Sequence, residues 1–542
     1  MIRWGRGPRW AAAVAAVALL ASATSLGNGF AQDDLPLILR NPRVHSLAHL
    51  WHRFLEPYWP PEVGAALYRP LSMVGFALQW RIGGGSTSGF HLVNVGLYIA
   101  LAVAVFALLR LMLPPLAAGL GGVLFAADPV HVEAVGNVVG QSELWVALWT
   151  VLAVIVYLRA RQTGVPSPTA WCAIALCYLA AAFTKEQGLM LPAFLAASEL
   201  LRREPPIPAR LQVLWPGYAA LLPVPIAYLA LRVLVLGNPV GDIAETAIRH
   251  AGVAARLLTM LGIVPQWVRL LLVPTHLQAD YLPRELDLAE GFGAAQLLGL
   301  ALLMGLLVLA WRGRRVAPAV PFGLAWVAVA LFPVSNLVVP TGILLAERTL
   351  LLPSIGAIVA VAAGACWALG RLPSVSPLER WVGLSLTGIL AAVATVASAR
   401  RQMIWKDDDT LYRQTVLDAP LSYKAHWAWG SILFEHGKPH EAEQEYRIAL
   451  DLYDRDPNLL VDLADHYLQA GYCRPAIPLY RRALAQAPVM WEARTNLTVC
   501  LVLSDSFAAA RQEATIKTAR NDPDAARVMS VVDSAAGAAP LR

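Results

Sequence analysis

The chain has 542 residues, of which 57% are hydrophobic and only 15% charged, against roughly 25% charged residues in ordinary globular chains. With a mean hydropathy of +0.53, this excludes a string of soluble domains and makes most of the chain an integral membrane protein. The net charge of +6 divides unevenly, residues 401–542 carrying 35 of the 80 charged side chains and a net −3, so the basic excess lies in the apolar part, where it orients spans and implies no nucleic-acid partner.

A spanning helix needs about 20 apolar residues. In chain order the candidates cover residues 10–29, 89–112, 115–128, 143–159, 168–184, 187–201, 212–234, 294–311, 318–336, 343–369 and 379–399, about eleven spans, the third of them short. With Arg3, Arg6 and Arg9 inside, the arginines Arg110, Arg159, Arg161, Arg202, Arg203, Arg210, Arg312, Arg314, Arg315, Arg371 and Arg380 all fall on that same side, as the positive-inside rule requires. The assignment needs residues 256–274, with Pro265, Gln266 and Arg269, to lie in the interface or re-enter instead of crossing. The first span also reads as a secretory signal, because arginines precede an alanine-rich core and small residues follow near Ser22–Ala31. In either case the loop from Gln32 onward is extracytoplasmic, and eleven crossings put the polar C-terminal segment on that side too. The alanine- and arginine-rich composition fits a bacterial inner membrane.

Several polar islands interrupt the apolar pattern at span ends. Gln32-Asp33-Asp34 follows the first span; adjacent side chains on a regular backbone point in different directions, so only one carboxylate easily aims into a given site. His45, His49 and His52 share one helical face at i, i+4 and i+7, but Leu47, Leu50, Trp51 and Phe54 make this an interfacial amphipathic helix before a metal site. Next come Tyr68-Arg69-Pro70 and His91-Leu92-Val93-Asn94. Asp128-Pro129-Val130-His131-Val132-Glu133 runs on to Gly140-Gln141-Ser142-Glu143, four ionisable groups where the bilayer makes them costly. Thr184-Lys185-Glu186-Gln187-Gly188 is tight between two spans. His276 to Tyr281, which includes Asp280, precedes Pro333-Val334-Ser335-Asn336 and then Ala346-Glu347-Arg348. All of these islands fall on the side opposite the inner arginines. The fixed cations among them, Arg69, Lys185 and Arg348, suit a phosphate, and a carboxylate of the first loop suits removal of a proton from a hydroxyl.

From Pro420 the pattern changes to paired short helices, 425–435 with 442–453, 459–470 with 476–487, and 490–503 with 507–518, separated by Pro457, Pro488 and Pro523. A period near 34 residues reads as about three tetratricopeptide repeats, an array that binds extended segments along a concave face. Five cysteines are too few and scattered for a disulfide framework or zinc site, since Cys172, Cys177 and Cys366 lie in apolar runs; a pairing of Cys473 with Cys500 stays open. The expected organisation is an all-α chain with a membrane domain at 1–400, a linker at 401–420, repeats at 421–523 and a tail at 524–542.

The ordered set Asp33-Asp34 with Asn41, Tyr68-Arg69-Pro70-Leu71, Phe90-His91-Leu92-Val93-Asn94, Pro129-Val130-His131 with Glu133, Lys185-Glu186-Gln187-Gly188, His276-Leu277 with Asp280-Tyr281, Pro333-Val334-Ser335-Asn336, and Ala346-Glu347-Arg348 with Leu352-Pro353-Ser354 resembles the transmembrane and tetratricopeptide repeat-containing O-mannosyltransferase family, a branch of the multispanning GT-C glycosyltransferases. Departures from its pattern stand at Asp128, Gln141 and Thr349. The resemblance implies transfer of a sugar, mannose in the eukaryotic members, from a polyprenyl phosphate to a protein hydroxyl outside the cytosol, with a first-loop aspartate as base.

On that footing Asp34 is expected as the base narrowly before Asp33, with inversion at the anomeric carbon. Arg69, His131, Glu133, Lys185, Glu186, Glu347 and Arg348 are expected to bind the donor phosphate or sugar. Tyr68, His91, Asn94, Asp128, Asp280 and Asn336 are further site candidates. Glu133 either orients sugar hydroxyls or helps hold a divalent ion, so the metal requirement is open. Expected partners are the lipid-linked sugar, membrane lipids and a protein or peptide acceptor docked on the repeats. Two rival readings are a non-catalytic membrane scaffold that displays the repeats for envelope assembly, favoured by the departures at Asp128 and Gln141, and a transporter, which the lack of a repeated half and of Gly/Pro-broken helix pairs in matching positions disfavours.

Overall fold

The computed structural model describes residues 7–60, 63, 67–202, 206–240, 248, 251–281, 285–371, 376–519, 522 and 524–538. Arg3, Arg6, Arg203, Pro523 and the side chain of Arg380 lie outside the described residues. Among those described every regular element is a helix and there is no strand. It divides into two compact units, Met1–Tyr281 with Asp287–Gln414, and Leu282–Leu286 with Thr415–Arg542.

Among the described residues of the first unit seven helices are long and apolar enough to cross a membrane, or up to nine if each of two bent pairs is one span, by length and composition. The expected span 115–128 is the first arm of such a pair, Pro115–Ala127 turning by 47° into Pro129–Gly136, and 212–234 is the pair Pro208–Ala219 and Pro223–Leu236, bent by 49°. Prolines open the second arms because proline fits a helix's first turn, where its missing N–H is not needed. Residues 187–201 contain the helix Leu191–Ser198, of only 8 residues, between two tight 3-10 turns, about 12 Å of α-helix at 1.5 Å per residue and too short to cross as one rod. Val253–Leu272 is an unbroken helix of 20 residues that meets the crossing test, so length does not reserve it for the interface. The segment 45–52 is not an amphipathic α-helix: His49 has φ 56° and only a 3-10 turn follows, Leu50–Leu55. His45 instead stacks on Trp80 at 3.8 Å between ring centroids.

Tight helix contacts are made at glycines. Gly323 and Gly356 face each other, and a Cβ on either would crowd the partner's carbonyl oxygen, at 2.5 Å for Gly323, so Ala319–Leu331 and Leu351–Leu369 approach closely. One end of the bundle is fastened by Glu199, whose carboxylate accepts from Arg161 Nε at 2.8 Å, from Tyr157 Oη at 2.7 Å and from Arg210 Nη1 at 3.1 Å.

The second unit consists of three helix pairs, Tyr423–Glu435 with Pro439–Leu452, Pro457–Gln469 with Cys473–Gln486, and Trp491–Leu503 with Phe507–Ala519, followed by Ala525–Ala538. The first helices begin at 423, 457 and 491 and the second at 439, 473 and 507, a shift of 34 residues each time. A Cβ at Gly430 would strike the ring of buried Tyr446 at 2.7 Å, which is the local reason for glycine where the first pair packs. Cys473 and Cys500 are buried in this unit's core, both as free thiols.

Candidate active site

The loop after the first helix, Gly7–Ser22, decides which acid of the Asp33-Asp34 pair is open. His91 Nε2 bonds the Gly29 carbonyl at 3.0 Å, Asn28 donates to the Gln402 carbonyl at 2.8 Å, and the backbone N–H of Gln32 donates to Asp408 at 2.6 Å. Gln32 itself sits at φ 53°, in the left-handed region, and the turn sends the two carboxylates apart. Asp34 is 1% exposed and accepts from the backbone N–H groups of Ala31 at 3.3 Å, Val138 at 3.2 Å and Val139 at 2.9 Å. It pins the first loop to the turn before Gln141–Thr163. Asp33 is partly open, with 27% of its side chain exposed, and lies 3.7 Å from the Arg348 guanidinium.

Burial raises the Asp34 pKa to about 7, against the pull of the three N–H donors. A carboxyl raised above its ordinary 3.8 holds its proton more tightly in the folded chain than in the unfolded one. The stabilisation is complete below about 4 and is lost as pH rises through about 7. Relative to Asp34→Asn, wild type is therefore expected to lose thermal stability between pH 5 and pH 8; parallel melting curves across that range would contradict the assignment.

Arg348 opens outward from the turn Glu347–Leu350. Its guanidinium lies 3.1 Å from Glu133, and its backbone N–H donates to the same carboxylate at 2.8 Å. Lys185 pairs with Glu143. Arg69 grips Glu186 with both nitrogens of its fork at 2.9–3.2 Å, and Arg232 stands 3.5 Å from Glu186. Burial pushes Glu186 up, but Arg69, Arg232 and Lys185 together hold it at about 2, while burial pulls Lys185 down against Glu143. The Tyr58 ring lies under Arg69 at 5.1 Å, and its hydroxyl feels the charges of both Arg69 and Asp33. Four cations, Arg69, Lys185, Arg232 and Arg348, thus face four carboxylates, Asp33, Glu133, Glu143 and Glu186. A cluster so balanced can accept an anionic group only by exchanging a carboxylate for it.

The other sequence candidates lie around this cluster as supports. His131 spends both ring nitrogens inside the bundle, on Tyr98 Oη at 2.9 Å and Ser354 Oγ at 2.8 Å. Glu347, 1% exposed, accepts from Tyr281 Oη at 2.8 Å and lies 3.7 Å from Arg401. Asn94 donates to the carbonyls of Val135 and Asn137 at 3.1 Å and accepts from Gln141 at 2.7 Å. Gln141 also exchanges hydrogen bonds with Gln79, so a neutral amide chain occupies its position. Tyr68 Oη donates to the Phe54 carbonyl, and Asp128 caps the turn Pro129–His131 through Val130 N–H at 3.0 Å. Asn336, at φ 54°, ties together its own loop through Thr341 and Ile343. Asp280 is half-buried and shares the surroundings of Tyr412 with Asp33 and Asp408.

Tyr58, Arg232 and Arg401 were not among the candidates. Arg232 carried a signal, being the lone charge in the apolar helix Pro223–Leu236; Tyr58 carried none. Among the described residues no group of three His, Cys, Asp or Glu side chains is placed to hold a metal ion, and Glu133 is engaged by Arg348.

Fold and site together define a multispanning helical membrane protein with a charge-balanced polar cluster at one end of its bundle. No family profile and no solved structure matches the chain. Among curated proteins it is 25% identical to protein O-mannosyl-transferase F38B6.6 of Caenorhabditis elegans, over 79% of this chain and 60% of that one. It is 26% identical to human protein O-mannosyl-transferase TMTC4, over 81% and 66%, and 28% identical to mouse protein O-mannosyl-transferase TMTC3, over 72% and 45%. Across most of its length the chain is thus similar to the transmembrane and tetratricopeptide repeat-containing O-mannosyltransferases. The chain spans less than two thirds of the length of these relatives.

Proposed function

We propose that the protein transfers a monosaccharide, mannose or a close relative, from a polyprenyl phosphate to a hydroxyl of a protein acceptor on the extracytoplasmic side of a membrane. The observation that carries this reading is the chain Asp33–Arg348–Glu133, in which a partly open carboxylate is held loosely at 3.7 Å by a cation that is fixed more closely, at 3.1 Å, from behind. A donor phosphate exchanges for Asp33 on Arg348, and Asp33 is released as a base. It takes the proton of the acceptor hydroxyl, whose oxygen forms the new bond to the anomeric carbon while the bond to the phosphate oxygen breaks with its electron pair. Displacement from the opposite face inverts that centre. Arg348, with Arg69 and Lys185 nearby, stabilises the charge that grows on the departing phosphate, the larger rate contribution in a site poor in water.

This assignment moves the base from Asp34 to Asp33 and makes Asp34 the anchor of the loop that presents it. His131 and Glu347 become positioning residues, and Glu133 is the support of Arg348, with no divalent ion invoked. The helix pairs of the second unit serve as tetratricopeptide repeats that dock the acceptor, in a chain divided at 1–400, 401–420, 421–523 and 524–542. The arginine distribution along the spans supports the extracytoplasmic placement. The relatives named are animal proteins, so a bacterial inner membrane draws no support from them.

The deciding experiment incubates membranes holding the full chain with a panel of labelled polyprenyl-phosphate sugars and an acceptor peptide. Transfer from one of them, inverted at the anomeric carbon and lost in Arg348→Gln, is the expected result. A panel with no transfer to any acceptor, while the second unit still captures protein partners, would favour the scaffold instead.

A further inference from the structure

A cavity of about 590 Å³ opens among the helix ends of the first unit far from the acidic and basic cluster. It is lined by Leu111 beyond Thr87–Arg110, Leu158 and Gln162 near the close of Gln141–Thr163, and Trp367 near the close of Leu351–Leu369. Asn94, Glu143 and Arg348 stand toward the other ends of these same runs. At 1.5 Å per helical residue the two places are roughly 22–29 Å apart.

Most of the lining side chains are apolar, and among the described residues Arg202 is the one charged side chain in the lining. Its neighbours Arg161 and Arg210 are both taken by Glu199, whereas among the described residues the Arg202 guanidinium donates only to the Arg161 backbone carbonyl. At the rim, Arg110 reaches the carbonyl of Leu113 at 3.5 Å, and Arg371 lies over the Trp367 ring at 4.4 Å. No described carboxylate pairs with Arg110, Arg202 or Arg371. One guanidinium in the lining and two more held against lining residues, none paired with a described carboxylate, ask for a ligand with an anionic head and an apolar body. We propose that this cavity binds one anionic phospholipid, its phosphate on Arg202 with Arg110 and Arg371 at the rim and its acyl chains along Leu111, Leu158 and Trp367. The positive-inside assignment puts this end at the cytoplasmic leaflet, where basic pockets between spans meet anionic lipid. The proposal stands whether or not the transferase reading does.

The test is native mass spectrometry of the full chain, titrated separately with phosphatidylglycerol, phosphatidylcholine and inorganic phosphate. One phosphatidylglycerol is expected to stay bound at about tenfold lower concentration than phosphatidylcholine, and inorganic phosphate is expected not to displace it. Arg202→Gln should bring the two lipids near parity. Val316→Trp, which fills the cavity from its lining and leaves every arginine in place, should remove the bound lipid and so decides the matter even if the arginine variant does not fold. Equal retention of the two lipids by wild type, displacement by inorganic phosphate, or a preference that survives Val316→Trp would each overturn the proposal.

Discussion

Asp33→Asn is expected to lower sugar transfer by roughly 10²–10⁴-fold, the usual contribution of a positioned base, while the protein remains inserted and folded. The side chain is partly open and 3.7 Å from Arg348, a geometry in which an ion pair contributes about 0–1 kcal/mol to stability. Loss of activity without loss of melting temperature is therefore the signature to look for. An amide keeps the shape and accepts a hydrogen bond from Arg348, but it cannot take the acceptor's proton. The check is initial transfer rate in membranes beside a melting curve of the same preparation, and wild-type rates in Asp33→Asn would sink the assignment. Asp34→Asn provides the contrast: its first effect is on the loop held by Val138 and Val139, so its losses in rate and in stability should move together.

Glu199→Gln should be the most destabilising single exchange of a charged residue in the first unit. Its side chain is 1% exposed, and those of Arg161 and Arg210 are 9% and 3% exposed. Removing one partner from a buried ionic group leaves charge without compensation and costs about 3–5 kcal/mol. Here one substitution strands two guanidinium groups and takes an acceptor from Tyr157. Thermal unfolding of purified protein against Arg159→Gln, an exposed arginine of the helix that carries Arg161, measures the effect; a melting temperature equal to that control would show that the cluster holds nothing together.

The polar islands were legible because an ionisable residue inside an apolar run is conspicuous whatever the fold, and Arg69, Glu133, Lys185, Glu186 and Arg348 were all found that way. Their roles were less legible. His131 and Glu347 look as reactive in a string of letters as Glu133 does, yet both are fully engaged within the bundle. Tyr58 stands in an unremarkable Pro-Tyr-Trp-Pro stretch, and only the approach of Arg69 gives it significance. The histidines at 45, 49 and 52 show the reverse error, since a helical spacing means nothing where His49 turns left-handed.

Composition and periodicity were enough to establish a membrane chain of helices, a polar C-terminal segment of helix pairs and the presence of the islands. Those properties follow from each residue's own hydropathy and from neighbours within a turn or two. The choice between Asp33 and Asp34 belongs to the fold alone: Val138 and Val139, more than a hundred residues along, supply the N–H groups that bury one carboxylate and leave its neighbour to Arg348. Burial and charge pairing depend on which distant segments meet, and that information exists only once the helices have packed.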